Sequence, residues 1–247
     1  LHRRRHSFPT RRSSDLHQLM QEFWYKRKAS ISFVLNLKEN HPISLLALAG
    51  LNTVAVRRPN HHIALELLNS LAFPLAAPSA NRSNNLSPTS AEHVFSSLSI
   101  DVPLLDGGEC TVGLESTIAD LTQDKIVILR KGAVTEADLK AFGEVTTANV
   151  DAAIRAPGML KRHYAPHLPL KMNVTEKEPG MAMLGFGECN DSDLNLSPNA
   201  NLEEAAANLF KYLHNLDCAK FSSIGVSPIP NHDIGEAIND RLQRAMR

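Results

Sequence analysis

The sequence predicts an α/β fold in two parts, a twisted mixed sheet covered by helices and a small Rossmann-like α/β domain at the C-terminus. Three observations support this prediction. Short apolar runs that alternate like strands are interleaved with helical periodicity along the 247 residues. A segment rich in proline and basic residues at 149–170 separates two such regions. The region after it follows a β–α–β–α order, which is typical of a small parallel-sheet domain.

The overall composition describes a globular chain and excludes several classes of protein. Apolar residues make up 43% and charged residues 21% of the chain, which argues against disorder. Lys plus Arg and Asp plus Glu each number 26, so no global charge attracts nucleic acid or anionic lipid. The three cysteines have neither disulfide nor zinc-ligand spacing, and no apolar run approaches the roughly 20 residues of a membrane span. We expect a cytoplasmic protein without a membrane contact.

The first sixteen residues, LHRRRHSFPTRRSSDL, differ from the rest because they hold five Arg and two His without apolar periodicity. They lack the apolar core of a signal peptide. Two interpretations stay open for residues 1–16, an artefact of gene assembly or a disordered basic arm able to contact RNA.

Residues 17–148 form the predicted first domain. Its expected elements are a helix end at 17–24, strands at 30–37 and 53–57, an apolar turn or helix at 43–49, a helix at 63–72, a short apolar run at 73–77 that fits a buried strand, strands at 102–105, 116–121 and 126–129, and a helix at 135–142 capped by Thr135. Between these, Thr89 and Glu92 have the spacing of a capping box, which predicts a helix with Thr89 as its N-cap.

Residues 149–170 are predicted to be a linker and 171–247 a second domain. In the second domain we expect strands at 181–186 and 221–226 and a helix at 234–246. An amphipathic helix is expected at 202–216, with Asn201 as its cap.

Two predicted strands end in arginine, at Arg57 and Arg130. Ligands gather at the carboxyl ends of strands in α/β sheets, and a guanidinium group binds carboxylate or phosphate with two hydrogen bonds. The alternative is that each strand-terminal arginine simply meets solvent. Neither arginine by itself shows whether its strand end is a ligand-binding site or a solvent-exposed surface.

A polar stretch at 77–94, APSANRSNNLSPTSAEHV, fits either a surface linker or a loop that binds a polar ligand. The glycine-rich stretch at 106–117, DGGECTVGLEST, could hold phosphate with backbone amides, although it matches neither of the common nucleotide-binding glycine motifs. Within it, Glu115 could bind a metal or serve the structure.

No nucleophilic triad and no metal-ligand spacing is found, and the eleven histidines are scattered. We therefore assign no catalytic residue and no metal ligand. The remaining polar residue types, Arg, Ser, Thr and Asn, bind and orient charged substrates more readily than they transfer protons. This favours phosphoryl or nucleotidyl transfer, in which positioning and charge neutralisation dominate.

Four segments, LAAPSANRSNNLSPTSAEHV, LDGGECTVGLESTIADL, ILRKGAVT and APGMLKRHYAPHLPL, resemble the threonylcarbamoyl-AMP synthases, the YrdC-like family. The tail AINDRLQRAM is similar to the long two-domain form. The resemblance implies a nucleotidyltransferase with a YrdC-like sheet. Its substrates would be L-threonine, bicarbonate and ATP with Mg²⁺, and it would release pyrophosphate. The product would pass to the tRNA threonylcarbamoyl-transfer machinery.

The resemblance also implies roles for ten residues. Two would bind threonine, Arg57 and Ser116. Eight would bind ATP: Thr53, Ala77, Ser79, Asn81, Ser87, Arg130, His163 and Tyr164. Of these, His163 and Tyr164 belong to the linker and would close over the site as a lid.

The sequence departs from the family before Glu22, where the family has a threonine-binding segment and a Lys-x-Arg pair. We therefore expect that the N-terminal part of the catalytic domain is missing and that the chain is weakly active or inactive. Three alternatives remain: a non-catalytic RNA- or nucleotide-binding module of the same fold, a carbamoyl-transfer maturation factor, and an interaction-only fragment. Dispersed basic residues disfavour the first, although tRNA contact stays open, and the lack of zinc-finger cysteines disfavours the second.

Overall fold

Two sheets organise the fold, and each belongs to its own structural unit. The computed structural model describes residues 13–27, 29–98, 103–148 and 163–246. One unit comprises Leu1–Asn60, Ser116–Arg130 and Val134–Met159, and the other comprises His61–Glu115, Lys131–Ala133 and Leu160–Arg247. This division follows spatial contacts, whereas the predicted domain boundaries at 148 and 171 follow sequence composition and stay a prediction.

Helices and strands alternate along most of the described chain. The helices are α1 (Ser13–Met20), α2 (Leu45–Leu48), α3 (His62–Ser70), α4 (Ala91–Leu98), α5 (Glu136–Lys140), α6 (Leu202–Leu216) and α7 (Ile234–Ala245), and a π-helical turn at Gln21–Lys26 follows α1. The strands are β1 (Ile31–Asn36), β2 (Thr53–Arg57), β3 (Thr117–Asp120), β4 (Ile126–Arg130), β5 (Val145–Thr147), β6 (Leu170–Lys171), β7 (Met181–Gly185), β8 (Leu194–Asn195) and β9 (Ser223–Val226).

The first unit holds a five-stranded mixed sheet in the order β2-β1-β3-β4-β5. Strand β1 is antiparallel to β2 and parallel to β3, while β4 is antiparallel to β3 and parallel to β5. Strands β2 and β4 therefore run in the same direction. As a result their last residues, Arg57 and Arg130, reach the same edge of the sheet.

Aromatic side chains form the core beneath this sheet. The ring of Phe23 lies 6.4 Å from that of Phe33 and 5.4 Å from that of Phe142, measured between centroids. Trp24 donates its indole N–H to the carbonyl oxygen of Ile31 at 3.0 Å. These contacts fix the helical segment before β1 against the sheet.

The second unit holds four parallel strands in the order β6-β9-β7-β8, as expected for a Rossmann-like domain. Helix α6 packs its apolar face, including Leu209 and Leu213, into the core with Leu184 of β7. The side chain of Asn201 accepts a hydrogen bond from the Glu204 backbone N–H at 2.8 Å, so the predicted N-cap is confirmed. The predicted mixed α/β class is likewise confirmed.

Three local predictions differ from the structure. Residues 73–77 form no strand and are exposed, with Phe73 61% exposed. Helix α4 begins at Ala91, and the Ser90 hydroxyl accepts from the His93 N–H at 3.3 Å, so Ser90 and not Thr89 serves as the cap. Residues 103–105 are not in a strand, and residue 102 lies outside the described residues.

Two predicted segments fall largely or partly outside the described residues. Residues 1–12 and 149–162 lie outside the described residues, and they include most of the proposed arm and most of the proposed linker. Within the described ranges, no helix combines the length and the apolar character needed to cross a membrane.

Candidate functional site

One group of predicted site residues lies at a single edge of the five-stranded sheet. Ser116 directly precedes β3 and is 1% exposed. Its hydroxyl lies 2.9 Å from the buried hydroxyl of Ser32 on β1. Arg130, at the end of β4, donates from Nε to the Ser116 carbonyl oxygen at 3.0 Å and from a terminal nitrogen to the Ser116 hydroxyl at 3.2 Å. The arginine therefore fixes both the backbone and the side chain of Ser116.

Arg57 reaches the same edge from the other side. In the β1–β2 register Arg57 pairs with Ser32, and its guanidinium donates to the Ser30 hydroxyl at 3.2 Å. Three strand spacings separate β2 from β4, about 14 Å at the usual distance between strands. Two cationic side chains therefore flank a row of serine hydroxyls, an arrangement suited to a ligand with more than one anionic group.

Thr53 lies at the opposite end of β2, where it pairs with Asn36. Four residues of extended chain separate it from Arg57, about 13 Å. The structure does not bring Thr53 to the edge that carries Ser116, and its predicted contact with ATP stays a prediction.

The polar loop at 77–90 belongs to the second unit. Ala77 and Ser79 are exposed in it. Asn81 has a different position, because its side-chain amide donates to the carbonyl oxygens of Asn85 at 3.1 Å and Leu86 at 3.2 Å. Asn81 therefore shapes the loop from within.

The far end of this loop is tied to a buried ion pair. The Ser87 hydroxyl donates to one carboxylate oxygen of Glu115. The other oxygen accepts from Nε of Arg241 on α7 at 2.8 Å. Of the two roles left open for Glu115, the described contacts support the structural one. Sequence reasoning gave no role to Arg241, although it lies in the tail motif AINDRLQRAM that resembles the family.

The two linker residues assigned to ATP differ in their surroundings. Tyr164 is 1% exposed, with its ring 5.6 Å from that of Phe210 between centroids. His163 is half-buried, and its backbone N–H donates to the Arg244 carbonyl oxygen at 3.1 Å. Tyr164 thus lies in the core of its own unit, which differs from the expected position on a lid because the aromatic ring gains burial against α6.

The glycine-rich segment has a packing role at Gly113. Its φ is +70°, and a Cβ atom there would lie 2.2 Å from the backbone oxygen of Ala206 on α6. Only glycine allows this close approach of the segment to the helix. Gly108 also has a positive φ, of +81°, but faces open space.

An open pocket of about 200 Å³ lies in the second unit between this segment and α6, lined by Thr89, Glu109, Cys110, Thr111, Ala207, Asn208 and Lys211. Lys211 and Glu109 pair across it at 2.8 Å. The charged groups in the pocket are therefore paired with each other.

Similarity to known proteins extends over nearly the whole chain. The family described as Telomere recombination matches residues 6–132, and the family described as Threonylcarbamoyl-AMP synthase, C-terminal domain, matches residues 134–246. Threonylcarbamoyl-AMP synthase of Pyrococcus abyssi is 35% identical over 236 residues, which cover 85% of this chain and 69% of the relative. That of Bacillus subtilis is 32% identical over 253 residues, 92% of this chain and 71% of the relative.

The chain belongs to the threonylcarbamoyl-AMP synthase family. Threonylcarbamoyl-AMP synthase of Schizosaccharomyces pombe is a third relative, 30% identical over 268 residues, which cover 92% of this chain and 65% of that protein.

Solved structures agree with this membership. The crystal structure of P. abyssi Sua5 complexed with L-threonine superposes with a TM-score of 0.81 at 32% identity, covering 96% of this chain and 75% of that one. A variant of the same protein with a His and a Tyr replaced by Ala gives a TM-score of 0.80 at 31% identity, covering 96% and 74%. The family resemblance and the fold predicted from the sequence are confirmed.

Proposed function

We propose that this member of the family is an L-threonylcarbamoyladenylate synthase, a nucleotidyltransferase that serves tRNA modification. The observation that carries the proposal is the 32–35% identity to threonylcarbamoyl-AMP synthases along 85–92% of the chain. The reaction joins L-threonine, bicarbonate and ATP into threonylcarbamoyl-AMP and releases pyrophosphate.

The chemistry needs orientation and charge neutralisation more than proton transfer by the protein. The threonine amine takes up bicarbonate with loss of water, and the resulting carbamate oxygen attacks the α-phosphorus of ATP. The bond from the α-phosphorus to the bridging oxygen breaks, and pyrophosphate leaves. Holding both reactants in line removes much of the entropic barrier.

We assign the carboxylate of threonine to Arg57 and a substrate hydrogen bond to Ser116. Ser116 is suited to this role because Ser32 and Arg130 hold its hydroxyl at 2.9 and 3.2 Å, so that little freedom remains to be lost on binding. Arg130 would then neutralise charge on the nucleotide.

The exposed residues Ala77 and Ser79, with Ser87 and Asn81, would form the ATP loop. His163 and Tyr164 are proposed to contact the nucleotide from the linker, which for Tyr164 requires its ring to leave the core. Thr53 stays a further candidate.

We propose that Mg²⁺ enters with ATP as a substrate ion and neutralises its phosphates. Within the described ranges no group of three or more His, Cys, Asp or Glu side chains is arranged to hold a metal. The hydroxyl and guanidinium groups of the sheet edge suit the organic substrates and phosphate oxygens.

The partners beyond ATP and L-threonine are bicarbonate and the tRNA threonylcarbamoyl-transfer machinery. The intermediate is a mixed anhydride that water destroys, so a direct transfer to that machinery is advantageous. We place this reaction in the cytoplasm.

The test measures threonylcarbamoyl-AMP and pyrophosphate formed by the chain, with threonine or bicarbonate omitted in turn. We expect both products to require both substrates. Arg57→Ala should lower the yield, whereas Lys125→Ala should not, because Lys125 lies at the other end of the sheet and pairs with the exposed Glu144.

Pyrophosphate release that is independent of threonine would contradict the proposal. Salt-dependent tRNA binding without threonine-dependent ATP consumption would instead favour a non-catalytic module.

A further inference from the structure

Arg241 is a fully buried charged side chain outside the residues assigned to substrate. It lies on α7 and is 1% exposed. Its Nε donates to Glu115 and one terminal nitrogen to Asp240, both at 2.8 Å. The other terminal nitrogen donates to the backbone oxygen of Lys131 at 2.8 Å. The guanidinium group also lies over the ring of Tyr164, 5.1 Å from its centroid.

Two partners of this guanidinium, Glu115 and Lys131, are chain neighbours of assigned substrate residues. Glu115 directly precedes Ser116, and Lys131 directly follows Arg130. Glu115 also accepts the hydroxyl of Ser87 from the ATP loop. Arg241 therefore contacts the residues next to Ser116 and Arg130 and, through Glu115, is linked to Ser87.

We infer that Arg241 is a positioning residue of the substrate site, which holds Ser87 in place through the carboxylate of Glu115. The inference rests on the proposed function, because Ser87 is assigned to ATP there. Arg241 itself needs no contact with substrate. It acts through Glu115, whose two oxygens join Ser87 and Arg241.

The hydrogen-bond geometry of Arg241 predicts that a lysine does not substitute for it. Burial acts to lower the pKa of Arg241, but attraction by the carboxylates of Glu115 and Asp240 raises it overall, so the side chain stays charged. Its planar guanidinium group donates hydrogen bonds to Glu115, Asp240 and the Lys131 carbonyl at once, whereas an ammonium group is a compact point charge. A lysine at this position keeps the charge and loses this geometry.

The experiment compares binding of ATP with Mg²⁺ to the wild-type chain, Arg241→Lys and a matched control, Asp193→Asn. Asp193 also forms an ion pair and a backbone hydrogen bond in the second unit, with Lys177 and Met183 at 2.7 Å, and meets none of the residues above. We expect the Kd for ATP to rise about tenfold in Arg241→Lys, from loss of ordered polar partners, and to stay unchanged in Asp193→Asn. Equal affinity in wild type and Arg241→Lys would overturn the inference.

A double-mutant cycle separates positioning from general stability. If Arg241 acts through Ser87, adding Arg241→Lys to Ser87→Ala should weaken ATP binding no further than the stronger single substitution. If the double variant raised the Kd for ATP by the product of the two single factors, Arg241 would not act through Ser87, and the inference would fail.

A second readout needs no ligand. Amide hydrogen exchange at residues 85–90 and 114–117 should be faster in Arg241→Lys than in wild type, and unchanged in Asp193→Asn. Unchanged exchange in Arg241→Lys overturns the inference by itself. A wild-type chain that fails to bind ATP overturns the proposed function instead, while the exchange measurement still decides whether Arg241 holds this loop.

Discussion

The imidazole rings of His93 and His214 stack in the second unit, with centroids 3.8 Å apart and planes 20° apart. The Thr89 backbone N–H donates to Nδ1 of His93 at 3.2 Å, so that nitrogen carries no proton. Nε2 of His214 lies 3.1 Å from the carbonyl oxygen of Ser87. Both rings therefore contact the end of the polar loop at 77–90, and the pair fits its surroundings when His93 is neutral.

Acid should destabilise the fold through this pair. Burial lowers the pKa of His93 and of His214. Glu92 and Glu109 act to raise the pKa of His93, and the Ser87 carbonyl and Asp217 act to raise that of His214, but burial prevails in both cases. Lys211 adds to the lowering of the His93 pKa, and the neighbouring ring of His93 adds to that of the His214 pKa. Since the unfolded chain binds these protons more readily, the stabilisation is present above the ordinary histidine pKa of about 6.5 and is lost as pH falls below it.

The measurement is the melting temperature between about pH 7.5 and pH 5. His214→Gln should flatten the pH dependence, because the neutral amide of glutamine does not titrate. Equal slopes in His214→Gln and wild type would contradict the role of the pair.

The two arginines of the sheet edge should respond differently to substitution. Arg57→Ala should raise the Kd for L-threonine about tenfold while the melting temperature falls less than in Arg130→Ala, because Arg57 and its hydrogen bond to Ser30 are exposed. Arg130→Ala should also lower the free energy of unfolding by about 1.5–3 kcal/mol, because two charged hydrogen bonds to Ser116 are lost. Calorimetric titration and thermal melts check the two effects. A loss of stability in Arg57→Ala equal to that in Arg130→Ala would contradict this assignment.

Gly113 and Gly108 offer a matched pair within one segment. Both have a positive φ, but only at Gly113 would an added Cβ atom meet the backbone of α6. Gly113→Ala should therefore cost roughly 2–5 kcal/mol of unfolding free energy, from strain and overpacking, and Gly108→Ala only about 1–2 kcal/mol. Denaturant unfolding measures both values. Similar losses at the two positions would show that the segment can move away from α6.

Local signals explain what the sequence predicted well. Helix α6 begins and ends where its apolar period and its cap at Asn201 placed it, since both signals lie within the segment itself. The shared edge of Arg57 and Arg130 was foreseen only in part. Each strand end could be located in the sequence, but the parallel direction of β2 and β4 depends on pairing between distant segments.

Long-range contacts account for what the sequence did not predict. Arg241 and Glu115 lie 126 positions apart, and no local pattern links them. Residues 73–77 are apolar but exposed, so their hydrophobicity alone gave the wrong burial. Tyr164 lies within a segment whose prolines and basic residues are typical of a linker, yet its ring is buried and packs against Phe210 of α6, a residue 46 positions away.

Ser79 and Asn81 should separate ligand binding from loop structure. Ser79 is exposed, so Ser79→Ala should weaken ATP binding without changing hydrogen exchange in the loop. Asn81→Asp should weaken ATP binding and also speed hydrogen exchange in the loop. The side-chain amide that donates to the carbonyl oxygens of Asn85 and Leu86 is then replaced by a carboxylate, which only accepts hydrogen bonds. Faster exchange at residues 82–86 is expected in Asn81→Asp alone, and Ser83→Ala, at an exposed position in the same loop, serves as the control. If Asn81→Asp exchanged like wild type, the amide would not be what holds the loop, and a direct contact between Asn81 and ATP would become the better explanation of any loss in binding.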